Sequence, residues 1–153
     1  MNTPSPVEFI EITSDAQSFF RFLPPDWAFD IEPLWPQYSE STKIYALKER
    51  HSLVAAGLLF SKASPDTKAY REKAEQRFQR GLLYLGFLYV QESEQKKGQG
   101  SLWMRSVLNI DPQKKYWLSV ESQSLIPFYS QFGFYVSEEV ILPDLHEWIL
   151  EQR

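Results

Sequence analysis

Residues 82–90 read Leu-Leu-Tyr-Leu-Gly-Phe-Leu-Tyr-Val, an almost continuous apolar run. Such a run fits a central strand covered on both faces. Around it, shorter patterned stretches predict the other elements. Residues 7–12 alternate as an opening strand. Ser14 or Asp15 can cap a short helix that carries Phe19, Phe20 and Phe22 and ends before Pro24-Pro25. Residues 26–41 are aromatic and proline-interrupted, and are expected to be irregular. Residues 43–47 and 53–60 read as two strands joined by a polar turn at 48–52, a hairpin.

Residues 61–81 change character. Ser64-Pro65-Asp66 opens a helix with a capping serine and a proline at its first position. Tyr70, Ala74 and Phe78 then fall four apart on one face, and Gly81 can close the helix. After the central strand, 102–108 predicts a helix in which Trp103 pairs with Val107 and Met104 with Leu108. Asp111-Pro112 stops it. Residues 116–120 form a strand, 124–132 a short helix despite Pro127, and Gly133 closes that helix. Residues 134–142 and 146–150 are the last strands, with a turn at 143–145. This order predicts an α+β fold: a mixed sheet with helices on both faces. Neither an internal repeat nor a linker divides the 153 residues, so one domain with a helical insertion at about 61–81 is expected.

Composition narrows the chemistry. Hydrophobic content of 43% and aromatic content of 16% support a packed core. A net charge of −4 argues against a chain that coats nucleic acid. The absence of cysteine excludes disulfides, thiolate zinc sites and a cysteine nucleophile. His51 and His146 stand alone, so no metal site is expected. Residues 1–6 lack a signal peptide's basic start and apolar run, and no apolar stretch is long enough to span a bilayer. The expectation is a cytoplasmic protein, monomer or homodimer, with no nucleic acid or membrane partner.

The polar turn after the central strand carries the most information. Gln95, Lys96, Lys97, Gly98, Gln99, Gly100 and Ser101 join an apolar strand to a helix. Glycines let backbone approach a ligand, and a helix start offers unpaired N–H groups with partial positive charge. The arrangement suits a diphosphate. A P-loop pattern is missing, and Trp103 occupies the place of the third glycine in a dinucleotide fingerprint.

Gln95-x-x-Gly98-x-Gly100 resembles the coenzyme A signature of the GNAT acetyltransferase superfamily. Downstream, 124–134 (Ser-Leu-Ile-Pro-Phe-Tyr-Ser-Gln-Phe-Gly-Phe) is similar to that family's helix ending in Tyr-x-x-Phe/Leu-Gly-Phe. The resemblance covers 82–136 in detail. It implies the acyl-CoA N-acyltransferase fold, a largely antiparallel sheet of about seven strands whose fourth and fifth strands splay apart. It also implies acetyl-CoA as cosubstrate, an amine acceptor and no metal. Leu88, Tyr89 and Val90 would pair with the pantetheine arm, and the turn from Gln95 to Ser101 would hold the pyrophosphate. Ser122, where the family often has Asn, and Phe128 would complete the cofactor site. Tyr129 matches the position of the acid that protonates the departing thiolate.

The general base is open at this point. Residues 82–90 contain no carboxylate and offer Tyr84 and Gly86; Glu92 and Glu121 lie just beyond strand ends. Water-mediated deprotonation, or an amine bound neutral, serves equally. The aromatic stretch from Trp27 to Tyr38 falls where the family builds its acceptor wall, and fits core filling equally. Three functions follow: an N-acetyltransferase acting on a primary amine by direct attack, a weak or inactive acyl-CoA-binding module, and an interaction domain. The third rests on residues 61–81, which hold six basic and three acidic residues and could grip an acidic partner.

Overall fold

A computed structural model describes residues 6–95 and 97–153. Among them, seven strands form one sheet in the order β1-β2-β3-β4-β5-β7-β6. They are β1 (Val7–Glu11), β2 (Thr42–Glu49), β3 (Ser52–Phe60), β4 (Leu83–Val90), β5 (Tyr116–Val120), β6 (Phe134–Leu142) and β7 (Leu145–Gln152). Every pairing is antiparallel except β4 with β5. The helices are α1 (Ala16–Phe22), α2 (Pro25–Ile31), α3 (Trp35–Tyr38), α4 (Arg71–Gln79), α5 (Gln99–Leu108) and α6 (Ile126–Ser130). The mixed, largely antiparallel α+β sheet is as the sequence predicts. None of the described helices is long and apolar enough to cross a membrane.

Strand alternation sorts the core onto two faces. Ile44, Ala46, Tyr84, Trp117 and Ile149 face one way, under Phe19 and Phe20 of α1, Ile31 of α2 and Ala74 of α4. Tyr45, Leu47, Leu85, Leu118 and Leu150 face the other, under Trp103, Met104 and Val107 of α5. Tyr70, Ala74 and Phe78 do share a face, and Phe78 packs edge-on against Trp117 at 5.7 Å. The turn of that segment is tighter than expected, with a 3-10 stretch over Pro65–Tyr70 before α4 begins.

Three boundaries differ from the sequence expectation. Residues 26–41 are largely helical, not irregular: α2 and α3 alternate with 3-10 turns at Glu32–Leu34 and Ser39–Ser41. Pro25, Pro33 and Pro36 each fall in the first turn of a short piece, where a missing N–H costs nothing. They divide the helix without abolishing it. The β2–β3 turn is shorter than expected, with Arg50 at φ 58°. Strand β7 starts at Leu145 and runs on to Gln152, because pairing with both β5 and β6 extends it.

One irregularity positions the site. Ala56 pairs with Tyr89 while Leu58 pairs with Gly86, so one residue of β3, Gly57, opposes two of β4, Phe87 and Leu88. This is a β-bulge, and Phe87 takes φ 55° within it. The extra residue reverses which side chains face which way. Before it, Tyr84 faces α4 and Leu85 faces α5; after it, Phe87 and Tyr89 face the α1–α2 side while Leu88 and Val90 face α5.

Candidate functional site

Strands β4 and β5 pair at only two positions, Leu83 with Tyr116 and Tyr84 with Trp117. Beyond Tyr84 they part. The gap is a cleft of about 560 Å³, walled by Gly86, Phe87 and Leu88 on β4 and by Leu118, Ser119 and Val120 on β5. The expected splay of strands four and five is therefore present. Leu88 lies in the cleft wall. The wall does not include Tyr89 or Val90: Tyr89 packs against Phe22 at 5.3 Å and Trp27 at 5.8 Å, and Val90 points toward α5 and Gly100.

The turn that follows β4 leads into α5 through Gly98, whose φ of 80° is left-handed and favours glycine. No side chain caps this helix start, which leaves its first N–H groups open to a ligand. A Cβ on Gly100 would lie 3.4 Å from Phe128 Cζ and 3.6 Å from Val90 Cγ2, ordinary contact distances, so the end of β4, the start of α5 and α6 converge here. Gln95 donates from Nε2 to Val90 O at 3.0 Å, Gln99 reaches Glu94 at 3.5 Å, and Lys97 lies 3.8 Å from the same carboxylate. These contacts fold the turn against the strand end. Ser101 is in the first turn of α5. Lys96 lies outside the described residues.

Tyr129 of α6 lines the cleft, stacked edge-on against Phe128 at 4.9 Å. Its hydroxyl has no hydrogen-bond partner among the described residues. Burial pushes its pKa up to about 12, so it holds its proton at neutral pH. Ser122 caps the turn that leads into α6, its Oγ accepting from the Ser124 N–H at 3.3 Å. Of the carboxylates expected near the strand ends, Glu121 lines the cleft and Glu92 sits exposed in the turn after β4.

A hydrogen-bonded group on the far side of the cleft escaped the sequence reading. Tyr84 donates to Asp66 Oδ2 at 2.5 Å and lies 3.4 Å from Ser119 Oγ. Tyr70 donates to Ser119 Oγ at 2.8 Å and reaches Glu147 Oε1 at 3.4 Å. Asp66, Tyr84, Ser119 and Glu147 all line the cleft. Asp66 is exposed as a residue, yet its carboxylate turns inward onto the Ser64 and Tyr84 hydroxyls, both buried. Burial raises the pKa of Asp66, opposed by those hydrogen bonds and reinforced by Glu121. Burial likewise raises Glu147, with Glu121 and Asp66 adding to it against the Ser119 hydrogen bond. Both tyrosines are pushed up, chiefly by burial. The signal was a carboxylate in core register: Glu147, Ile149 and Glu151 alternate on the buried face of β7.

The aromatic stretch divides between the cleft and the core. Trp27 and Leu34 line the cleft, and Trp27 packs on Phe87 at 6.4 Å. Trp35 instead packs on Phe20 at 5.7 Å, in the core, and Phe29 is exposed. Three of the six basic residues of 61–81 are turned to the sheet. Lys73 pairs with Glu138, Arg77 with Glu138 at 3.0 Å and Glu151 at 3.1 Å, and Arg80 with Glu151 at 2.6 Å. At those three positions an acidic partner would have to displace intramolecular carboxylates. His146 pairs with Glu139 at 2.8 Å and stacks on Trp148.

No protein-family model matches the chain, and no curated protein sequence is significantly similar to it. Solved structures are similar in fold. The ribosomal-protein-S18-alanine N-acetyltransferase from Escherichia coli superimposes with a TM-score of 0.68 at 13% identity, over 96% of this chain and 93% of that one. A GNAT family acetyltransferase from Elizabethkingia anophelis, solved with acetyl-CoA bound, gives 0.61 at 13% identity over 96% and 97%. An IAA acetyltransferase from Bacillus cereus gives 0.63 at 16% identity over 96% and 99%.

Proposed function

Because the chain carries the acyl-CoA N-acyltransferase fold of the GNAT proteins, we propose that it transfers an acetyl group from acetyl-CoA to a primary amine by direct attack. The observation that carries this reading is the parting of β4 and β5 after two residue pairs, beside an uncapped helix start and an unpartnered tyrosine hydroxyl. The residues suit the cosubstrate. Beyond Tyr84 the β5-facing edge of β4 has no strand partner among the described residues, which suits the amide-bearing pantetheine arm along Leu88, Tyr89 and Val90. The open N–H groups around Gly98, Gln99, Gly100 and Ser101 suit a pyrophosphate, with Gln95 and Lys97 folded alongside, and Lys96 assigned there on sequence grounds. Phe128 packs beneath Gly100, and Ser122 fixes the turn that presents Phe128 and Tyr129.

When bound, the thioester supplies an activated acyl group and a thiolate leaving group. The chain's own residues supply three things. Tyr129 Oη gives its proton to the departing sulfur; its high pKa keeps that proton in place at neutral pH until the thiolate leaves. Main-chain N–H groups at the bulge, near Leu88, offer hydrogen bonds to the carbonyl oxygen as charge gathers on it. The α1–α2 aromatics, through Trp27 against Phe87, cover the bulge and restrict water.

Calorimetry with CoA and acetyl-CoA, followed by thiol release across a panel of amines, tests the reading. Binding together with amine-dependent thiol release is expected. Absence of binding heat would sink it, and tight binding without amine-dependent release would favour a non-transferring acyl-CoA-binding module.

A further inference from the structure

The charged residues that line the cleft are all acidic. Asp30, Asp66, Glu121 and Glu147 line it, and its lining among the described residues includes no Lys, Arg or His. None of these four carboxylates has an ion-pair partner among the described residues. Elsewhere the chain neutralises inward-facing carboxylates with its own cations, as Arg77 and Arg80 do for Glu151. Acidity alone would not define a site. The same cleft, however, is lined by the half-buried Tyr129, whose hydroxyl has no hydrogen-bond partner among the described residues. Both observations call for a ligand that brings positive charge and a reacting atom.

We propose that the acceptor is an aliphatic amine carrying a second positive charge and no acid group, and that Glu147 takes the proton from its reacting nitrogen. The inference rests on the transferase reading above. Attack requires a neutral nitrogen, so the reacting amine cannot balance the carboxylates while it reacts; a second cation can, and Asp30 and Glu121 are the exposed pair available to it. Glu147 receives only neutral hydroxyl donors, from Tyr70 and Ser119, and a carboxylate offers about four lone-pair sites. In the step, the nitrogen lone pair forms the C–N bond, the C–S bond breaks, the nitrogen's surplus proton passes to Glu147, and the sulfur takes the proton of Tyr129. The groups that face Glu147 are Asp66 and Tyr70 from the turn before α4, Glu121 from the end of β5, and Tyr84 of β4 through Ser119. An acid group on the acceptor would meet this uncompensated negative field.

The test is initial-rate thiol release at saturating acetyl-CoA with 1,4-diaminobutane, a lysine-bearing basic peptide, n-butylamine, glycine and glutamate. The dication, free or in the peptide, is expected to give kcat/KM about tenfold above butylamine, with glutamate lowest. Its advantage should shrink as salt rises. The peptide and diamine arms identify the source of the alkylamine. Asp30→Asn should raise KM for the favoured dication several-fold with little change in kcat. Glu121→Gln should move the acid limb of the rate profile to lower pH, because Glu121 helps hold the pKa of Glu147 up. Glu147→Gln should lower kcat about 100-fold and abolish that limb, while acetyl-CoA binding heat reports an intact fold. Equal kcat/KM for butylamine, glycine and the dications would overturn the acceptor class. A wild-type acid limb in Glu147→Gln would overturn the proton role. If no amine releases thiol and acetyl-CoA gives no heat, the transferase reading itself fails; if release occurs without preference for dications, only this inference does.

Discussion

Replacing Gly57 by alanine tests how the β4 bulge is held. A Cβ there would lie 2.7 Å from Trp103 Cζ2, 2.9 Å from Trp103 Cη2 and 3.2 Å from Leu88 Cα. The first two contacts are closer than carbon atoms tolerate, and the neighbours have little freedom. Trp103 is fully buried, and its Nε1 donates to Tyr45 O on β2 at 2.9 Å. Leu88 Cα is backbone at the bulge. Overpacking of this kind costs about 1–3 kcal/mol. Breaking the indole hydrogen bond would add about 1 kcal/mol. Removing a glycine from the unfolded chain returns about 0.4–1 kcal/mol. The expected net loss is about 1–3 kcal/mol. With a urea slope of about 2 kcal/mol/M, the midpoint falls by about 0.5–1.5 M. Since the displaced backbone is the cleft wall, acetyl-CoA affinity should fall as well. Gly81→Ala is the control: with φ at 85° and nothing within 4 Å of a Cβ, it carries only left-handed backbone strain, about 1–2 kcal/mol. It should destabilise without weakening acetyl-CoA binding. An unchanged urea midpoint in Gly57→Ala, with unchanged affinity, would show that Gly57 does not set the bulge.

Tyr129→Phe should lower turnover about 100-fold while acetyl-CoA affinity stays near wild type; equal turnover in a stopped-flow thiol assay would remove the acid role. Gly100→Val should drive a branched side chain against Phe128 and Val90 and weaken acetyl-CoA binding about tenfold or more, read by calorimetry, with the fold retained by circular dichroism. Arg77→Ala leaves the buried Glu151 with only the exposed Arg80 and should cost about 3 kcal/mol in urea unfolding, at the low end of the range for a broken buried pair. Glu138 and Glu151 both titrate below their ordinary value. For Glu138 the Lys73 hydrogen bond leads; for Glu151 burial pulls upward, and the Arg80 and Ser137 hydrogen bonds with the Arg77 charge overcome it. A depressed folded pKa stabilises above the unfolded value and is lost as pH falls through the folded one. Urea midpoints should therefore drop below about pH 4.5, and Arg77→Ala should flatten that drop.

The periodicities alone settled most of the elements. The continuous apolar run at 82–90 marked a strand covered on both faces, because such a strand has no solvent side to mark with polar residues. Four-residue spacing in Tyr70, Ala74 and Phe78, and in Trp103 and Val107, marked which helix faces are buried. Gly98 marked a turn where the backbone adopts a left-handed angle, a local demand that residue type alone reveals. The helical character of 26–41 stayed hidden because proline at a first turn and proline in a loop look alike until packing fixes where each helix begins. Tertiary structure decided the remainder. The bulge at Phe87 is a miscount between two strands, so no single strand encodes it; it turns Leu88 toward α5 and Phe87 toward α2. The acidic group joins Asp66, Ser119 and Glu147 across 81 positions of sequence, and the pairing of β5 with β7 brings the last two together. Burial, which raises the pKa of both carboxylates, depends on what other segments place around them, and that is a property of the packed chain.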